Sequence, residues 1–246
     1  MEELNKEDKL QESDYTELSK EELQDIFEKS EKLGNKYLHA EYSPGAQRSY
    51  MDVPGWINDA EWLYEKVLSD CEDGDHLIEI GTYFGQSACR MGELIKTHGK
   101  DVKFDTIDTY EVLDPSMRAG FHPPQFIRYR FHPSLSTAPF SDIVRLHLNV
   151  LGVQDYVNLI ICDSKIAWKL YDDESLKMVY IDGDHTAEGI IEDLNNYWPK
   201  VKKGGWFCGD DINYESVKES VLKFVEENNI PTNSLELHQH SWIIRK

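Results

Sequence analysis

Basic residues are scarce in this chain. Only 26 Lys and Arg stand against 46 Asp and Glu, a formal net charge of −20 over 246 residues. That balance disfavours a nonspecific grip on nucleic acid or on an anionic membrane, where phosphate neutralisation supplies much of the affinity. Paired cysteines are missing too. Cys71, Cys89, Cys162 and Cys208 form no C-x-x-C, and three of them lie in or beside apolar segments, as small buried hydrophobes do. A reducing compartment is the simplest setting. No apolar run approaches the ~20 residues of a membrane span. The acidic N-terminal residues hold no apolar stretch of a secretory signal. The expectation is a cytoplasmic protein with neither nucleic acid nor membrane as partner. Repeats and low-complexity segments are also absent, and the length suits one α/β domain.

What is present is an alternation. Short β-branched or aromatic runs read as buried strands at His76 to Ile80, Lys103 to Ile107, Val157 to Cys162, Met178 to Ile181 and Gly205 to Cys208. Between them, apolar residues at helical spacing predict helices at Asn58 to Ser69, Gln86 to Thr97, Asp142 to Leu151, Lys165 to Tyr171, Ala187 to Trp198 and Tyr214 to Asn228. Leu235 to His238 and Ser241 to Ile244 predict a terminal hairpin. Strands alternating with helices imply a mainly parallel sheet covered on both faces. Residues 1–34 differ in kind: they carry twelve Asp or Glu and five Lys. They read as an acidic arm, helical from Thr16 to Leu33, that packs on its own domain or on a second copy. The domain proper is expected over 35–246.

Two of the predicted strands end in acids. Met178-Val179-Tyr180-Ile181 runs into Asp182-Gly183-Asp184-His185, and Trp206-Phe207-Cys208-Gly209 into Asp210-Asp211. A buried strand that stops at an acid delivers it to the sheet rim, where open α/β sheets bind ligands. Carboxylates brought together there would repel and hold protons unless a cation sat among them.

The first strand runs into a different kind of turn, Glu79-Ile80-Gly81-Thr82-Tyr83-Phe84-Gly85-Gln86-Ser87. Two glycines let backbone approach a ligand, with the following helix N-terminus aimed at it. A dinucleotide fingerprint needs a third glycine that this turn lacks. Glu79 beside a pyrophosphate is electrostatically wrong, while beside a ligand carrying an ammonium and a sulfonium it is right. Asp108, ending the second strand, is placed to accept from ribose hydroxyls. Asp163 and Ser164, ending the third, suit an adenine edge or a helix cap, the cap being the better reading for Ser164.

Taken in order, Glu-x-Gly-Thr-Tyr-x-Gly-x-Ser, Asp108, Cys162-Asp163-Ser164, Tyr-Ile-Asp-Gly-Asp-His and Gly-Gly-Trp-Phe-Cys-Gly-Asp-Asp resemble the class I S-adenosylmethionine-dependent methyltransferases. Within these the chain is most similar to the macrocin-type, metal-dependent sugar O-methyltransferases. The resemblance covers roughly residues 50–246. It implies a Rossmann-like sheet of seven strands, the last antiparallel. It assigns Glu79, Gly81, Thr82, Tyr83, Gly85, Ser87, Asp108, Asp163, Ser164 and Asp182 to S-adenosylmethionine. It further implies a divalent cation on Asp182, Asp210 and Asp211, with Mg²⁺ expected and Mn²⁺ or Ca²⁺ as alternatives. Asp184 matches the family's proposed base, and His185 is the second candidate. His185-Thr186 stands where sugar-modifying relatives often carry a Tyr-containing segment, so the acceptor is less defined than the reaction. Catechol or phenolic acceptors, and a non-catalytic subunit of the same fold, are the rival readings.

One segment has the opposite charge character. Residues 115–141 contain no Asp or Glu but carry Arg118, Arg128 and Arg130 with five aromatics. The expectation is a lid or acceptor loop over 114–141. Its arginines would meet the phosphate of a nucleotide-linked sugar and its aromatics a sugar face.

Overall fold

The computed structural model describes residues 48–53, 55, 57, 60–110 and 140–246. The expected acidic arm, and the expected loop except for Phe140 and Ser141, lie outside these residues. Phe140 and Ser141 belong to a helix, so the loop's far end is corrected to 139.

Among the described residues the strands are β1 (His76–Ile80), β2 (Lys103–Asp108), β3 (Asn158–Ile161), β4 (Leu176–Ile181), β5 (Val201–Gly209), β6 (Leu235–His238) and β7 (Ser241–Arg245). The helices are α1 (Ala60–Ser69), α2 (Gln86–His98), α3 (Phe140–Leu151), α4 (Ser164–Ala167), α5 (Ala187–Tyr197) and α6 (Glu215–Glu227). One seven-stranded sheet runs in the order β3-β2-β1-β4-β5-β7-β6. β1 to β5 pair in parallel, and β7 lies antiparallel between β5 and β6.

Side chains along each strand alternate between two cores. Leu77, Met178, Tyr180, Trp206 and Cys208 face the apolar stripes of α1, α2 and α3. Ile78, Ile80, Val179, Ile181, Phe207 and Trp242 face Ile190, Leu194, Val217, Val221 and Phe224 of α5 and α6. Phe207 is fully buried against Trp198, Phe224 and Trp242. Truncating such a ring to Ala costs about 3–5 kcal/mol.

Register then sets the site. Ile80 pairs with both Ile107 and Ile181, and Ile181 pairs with Gly209. The next residues along these four strands are Gly81, Asp108, Asp182 and Asp210. They therefore share one row at the carboxyl rim. β1 is also where chain order reverses between β2 and β4, the crevice where doubly wound sheets take ligands.

Candidate active site at the sheet rim

The β1 turn is tied down on every side. Gly81 adopts φ +92, and a Cβ there would overlap the Asp182 carbonyl oxygen. Only glycine lets the β1 and β4 ends come this close. Gly85, at φ 85, caps α2, whose second residue is Ser87. Asp108 holds the turn from β2: its Oδ2 accepts from the backbone N–H groups of Thr82 at 2.8 Å and Tyr83 at 3.2 Å. Its Oδ1 accepts from Tyr110 N–H at 2.8 Å. Tyr83 and Tyr110 both sit at positive φ, as does Asp211 beyond β5. Such backbone costs of order 1–3 kcal/mol each and collects at functional sites.

Glu79 shares strand parity with Leu77, so it points under α1 and is fully buried. Tyr64 of α1 donates to its Oε1 at 2.7 Å, and Thr106 of β2 to its Oε2 at 3.0 Å. Thr82 and Thr106 hydroxyls meet beside it. Burial pushes the carboxyl up to about 7, opposed by hydrogen bonds from Ser87, Tyr64 and Thr106. Sequence reasoning identified Glu79 but not Tyr64 or Thr106; α1 precedes the turn and carried no signal of contact with it.

Beyond β3 the cap is Asp163, whose Oδ1 accepts from Lys165 N–H at 2.9 Å. That corrects the expectation that Ser164 is the capping residue. Ser164 instead opens α4 and receives the Tyr197 hydroxyl on its carbonyl at 2.9 Å.

The acids of β4 and β5 separate. His185 Nε2 lies 2.8 Å from Asp211 Oδ2 and 3.7 Å from Asp182 Oδ1. One ligand atom from each of Asp182, His185 and Asp211 falls within 4.8 Å of the others. Burial pushes the Asp182 carboxyl up to about 6, with Asp210 and Asp211 adding to the rise and His185 opposing it. The two carboxylates raise the His185 imidazole to about 10. Asp210 stands beside them, its Oδ1 3.5 Å from the Ser241 hydroxyl. Asp184 turns the other way. Its Oδ1 accepts from Thr186 N–H at 2.9 Å, and its carboxyl lies against Gly189 in the first turn of α5, filling the space a Cβ would take. The rim thus brings Asp182, Asp211 and His185 together, with Asp210 adjacent, and leaves Asp184 at a helix start.

Tyr214, unnoticed in the sequence, stacks on His185 at 5.6 Å with planes 13° apart, while Ser216 Oγ donates to the His185 carbonyl at 2.7 Å. The α6 start therefore orients this imidazole. Carboxylates gathered at the rim, with the proton affinity of Asp182 raised by burial and then by Asp210 and Asp211, fit a divalent cation. Oxygen donors suit Mg²⁺, Mn²⁺ or Ca²⁺.

A glycine turn at the switch point, an acid ending β2 and a carboxylate cluster ending β4 and β5 define the class of S-adenosylmethionine-dependent methyltransferases. The model of the family described as methyltransferase domain matches residues 78–212, more than half of the chain, and the chain belongs to that family. No curated protein matches in sequence. Similar solved structures include the O-methyltransferase NovP (16% identity, 76% of this chain and 79% of that one, TM-score 0.58). CalS11, a TDP-rhamnose 3′-O-methyltransferase in calicheamicin biosynthesis, shares 13% identity over 93% of this chain and 95% of its own, at TM-score 0.53. TomG of Streptomyces achromogenes, an O-methyltransferase involved in tomaymycin synthesis and solved with S-adenosylmethionine, shares 13% over 79% and 83%, at TM-score 0.51. At these identities they establish a common fold. Among the described residues no helix is long and apolar enough to cross a membrane.

Proposed function

We propose that this methyltransferase transfers the methyl group to a hydroxyl of a sugar or glycoconjugate, assisted by a divalent cation. The observation that carries the reading is the row of rim residues. It sets the Gly81 turn beside Asp182, with His185 and Asp211 gathered next to it. CalS11, described as acting on a nucleotide-linked sugar, lends support through its shared fold. The free enzyme is expected in the cytoplasm, with a second copy as candidate partner.

Methyl transfer from a sulfonium needs an alkoxide-like nucleophile, and a sugar hydroxyl is a poor acid at neutral pH. A divalent cation on Asp182, Asp210 and Asp211 would orient and acidify acceptor hydroxyls as a Lewis acid. Glu79 and Asp108 shape the donor side: the first places negative charge under the sulfonium and ammonium, the second holds the turn and keeps acceptor capacity on Oδ1 for a ribose hydroxyl. Thr82, Tyr83, Gly85 and Ser87 line that turn, and Asp163 and Ser164 flank the adenine end.

His185, rather than Asp184, is assigned as the base. Its Nε2 faces the acid cluster, whereas the Asp184 carboxyl is used at the α5 start. His185 is charged when only carboxylates surround it; neutralising them restores an imidazole able to take a proton near neutral pH. A methyl-transfer assay over sugar, nucleotide-sugar and catechol acceptors, with Mg²⁺ and with chelator, tests the reading. Turnover of a sugar acceptor that stops with chelator is expected. Turnover confined to catechols, or indifferent to chelator, would overturn it.

A further inference from the structure

The mechanism leaves one buried imidazole unused. His147, on α3, is fully buried, and its Nδ1 lies 2.8 Å from the carbonyl oxygen of Phe84. Phe84 is the middle of the cofactor turn, and it too is buried. On either side of it the backbone is left-handed, at φ 49 for Tyr83 and φ 85 for Gly85. A non-glycine residue held in that region needs its surroundings to keep it there. Asp108 binds the N–H groups of Thr82 and Tyr83 from one side of the turn. The Phe84 carbonyl precedes the α2 ladder, whose first bond runs from Cys89 N–H to the Gly85 carbonyl. It is His147 that meets this carbonyl from α3.

A carbonyl only accepts, so Nδ1 carries the proton. Burial pushes the imidazole down to about 4, which leaves it neutral over the working range. Val144, one turn earlier on the same face of α3, presses on the same turn. A Cβ on Gly85 would lie 2.8 Å from Val144 Cγ1. α3 therefore supplies a shaped wall and one directed hydrogen bond to the loop that takes the methyl donor.

We propose that His147 is a positioning residue for S-adenosylmethionine: its Nδ1–H, donated to the Phe84 carbonyl, holds the Gly81 to Gly85 turn in the shape that receives the cofactor. His147 touches no reacting atom and acts through Phe84. In the sequence it reads only as a lone histidine within the apolar run Leu146-His147-Leu148.

Calorimetric binding of S-adenosylhomocysteine to wild type, H147L and H147N tests this. Leu removes the donor, while Asn places an amide N–H where Nδ1 was. Binding about tenfold weaker in H147L, recovered to within about twofold of wild type in H147N, is expected for one directed hydrogen bond to a binding loop. Mn²⁺ binding at the acid cluster serves as the fold control and stays unchanged in both variants. Long-range ¹H–¹⁵N spectra of wild type should show the Nδ1–H tautomer at His147. Equal binding by wild type and H147L, no recovery in H147N, or an Nε2–H tautomer would overturn the proposal. Failure of wild type itself to bind S-adenosylhomocysteine would overturn the cofactor assignment of the turn as well.

Discussion

The two halves of the rim are held by opposite means. At the β1 turn, Asp108 uses both oxygens on backbone N–H groups, and Glu79 takes hydroxyls from Tyr64 and Thr106. At the ends of β4 and β5, Asp182 and Asp211 are gathered about a protonated imidazole, and Asp182 keeps a raised proton affinity. The first half is held by hydrogen bonds. The second is a cluster of carboxylates around one imidazole.

Breaking the acid half should have the largest effect. D182N and D211N are each expected to lower kcat on the order of 10³-fold, and binding of S-adenosylhomocysteine stays within about twofold in D211N, whose carboxylate serves the acceptor side alone. Single-turnover kinetics with calorimetry separates the two. H185Q should cost about 10²- to 10⁴-fold in kcat as a lost general base. D184N, which keeps an Oδ1 acceptor for Thr186 N–H, should cost well under tenfold in rate and little in stability. The reverse ranking of those two variants would return the base to Asp184.

Breaking the donor half acts on the fold first. G81A places a Cβ against the Asp182 carbonyl and forces a left-handed position on alanine. Urea unfolding should show a loss of about 2–4 kcal/mol. The pH dependence of stability reads both halves. His185 is raised from 6.5 to about 10 in the folded metal-free protein, so the stability it contributes is fully present below pH 6.5 and lost as pH rises through about 10. Glu79 is raised from 4.5 to about 7, so its contribution is present below pH 4.5 and lost as pH rises through about 7. Melting temperature against pH should flatten in the upper window for H185Q and in the lower window for E79Q. Unchanged profiles would mean that these groups do not titrate differently on folding.

Strand alternation and strand-ending acids made most of this readable in advance. The hairpin strand Leu235–His238 was expected with those bounds, its partner runs one residue past the expected Ile244 to Arg245, and the carboxyl ends of β1 and β4 coincide with the expected ones. β5 was expected only over Gly205 to Cys208, because Lys202, Lys203 and Gly204 look like a turn. Pairing of Val201 with Leu176 across an irregularity extends the strand. Side-chain direction past a strand end was the harder matter. No strand period operates there, so Asp184 was expected as the base, ahead of His185, on resemblance and not on geometry. The left-handed backbone at Asp211 and the packing of Asp184 on Gly189 separate their partners in space. Tyr64 and His147 were illegible for another reason: each reaches the site from a helix that carries none of the motif residues.

The most direct test is a titration of the metal-free protein with Mn²⁺, read by electron paramagnetic resonance. One tightly bound Mn²⁺ per chain in wild type, lost in D182N and in D211N while S-adenosylhomocysteine still binds, is the predicted result. A wild type that binds no stoichiometric Mn²⁺, or variants that retain it, would contradict the assignment of the acid cluster.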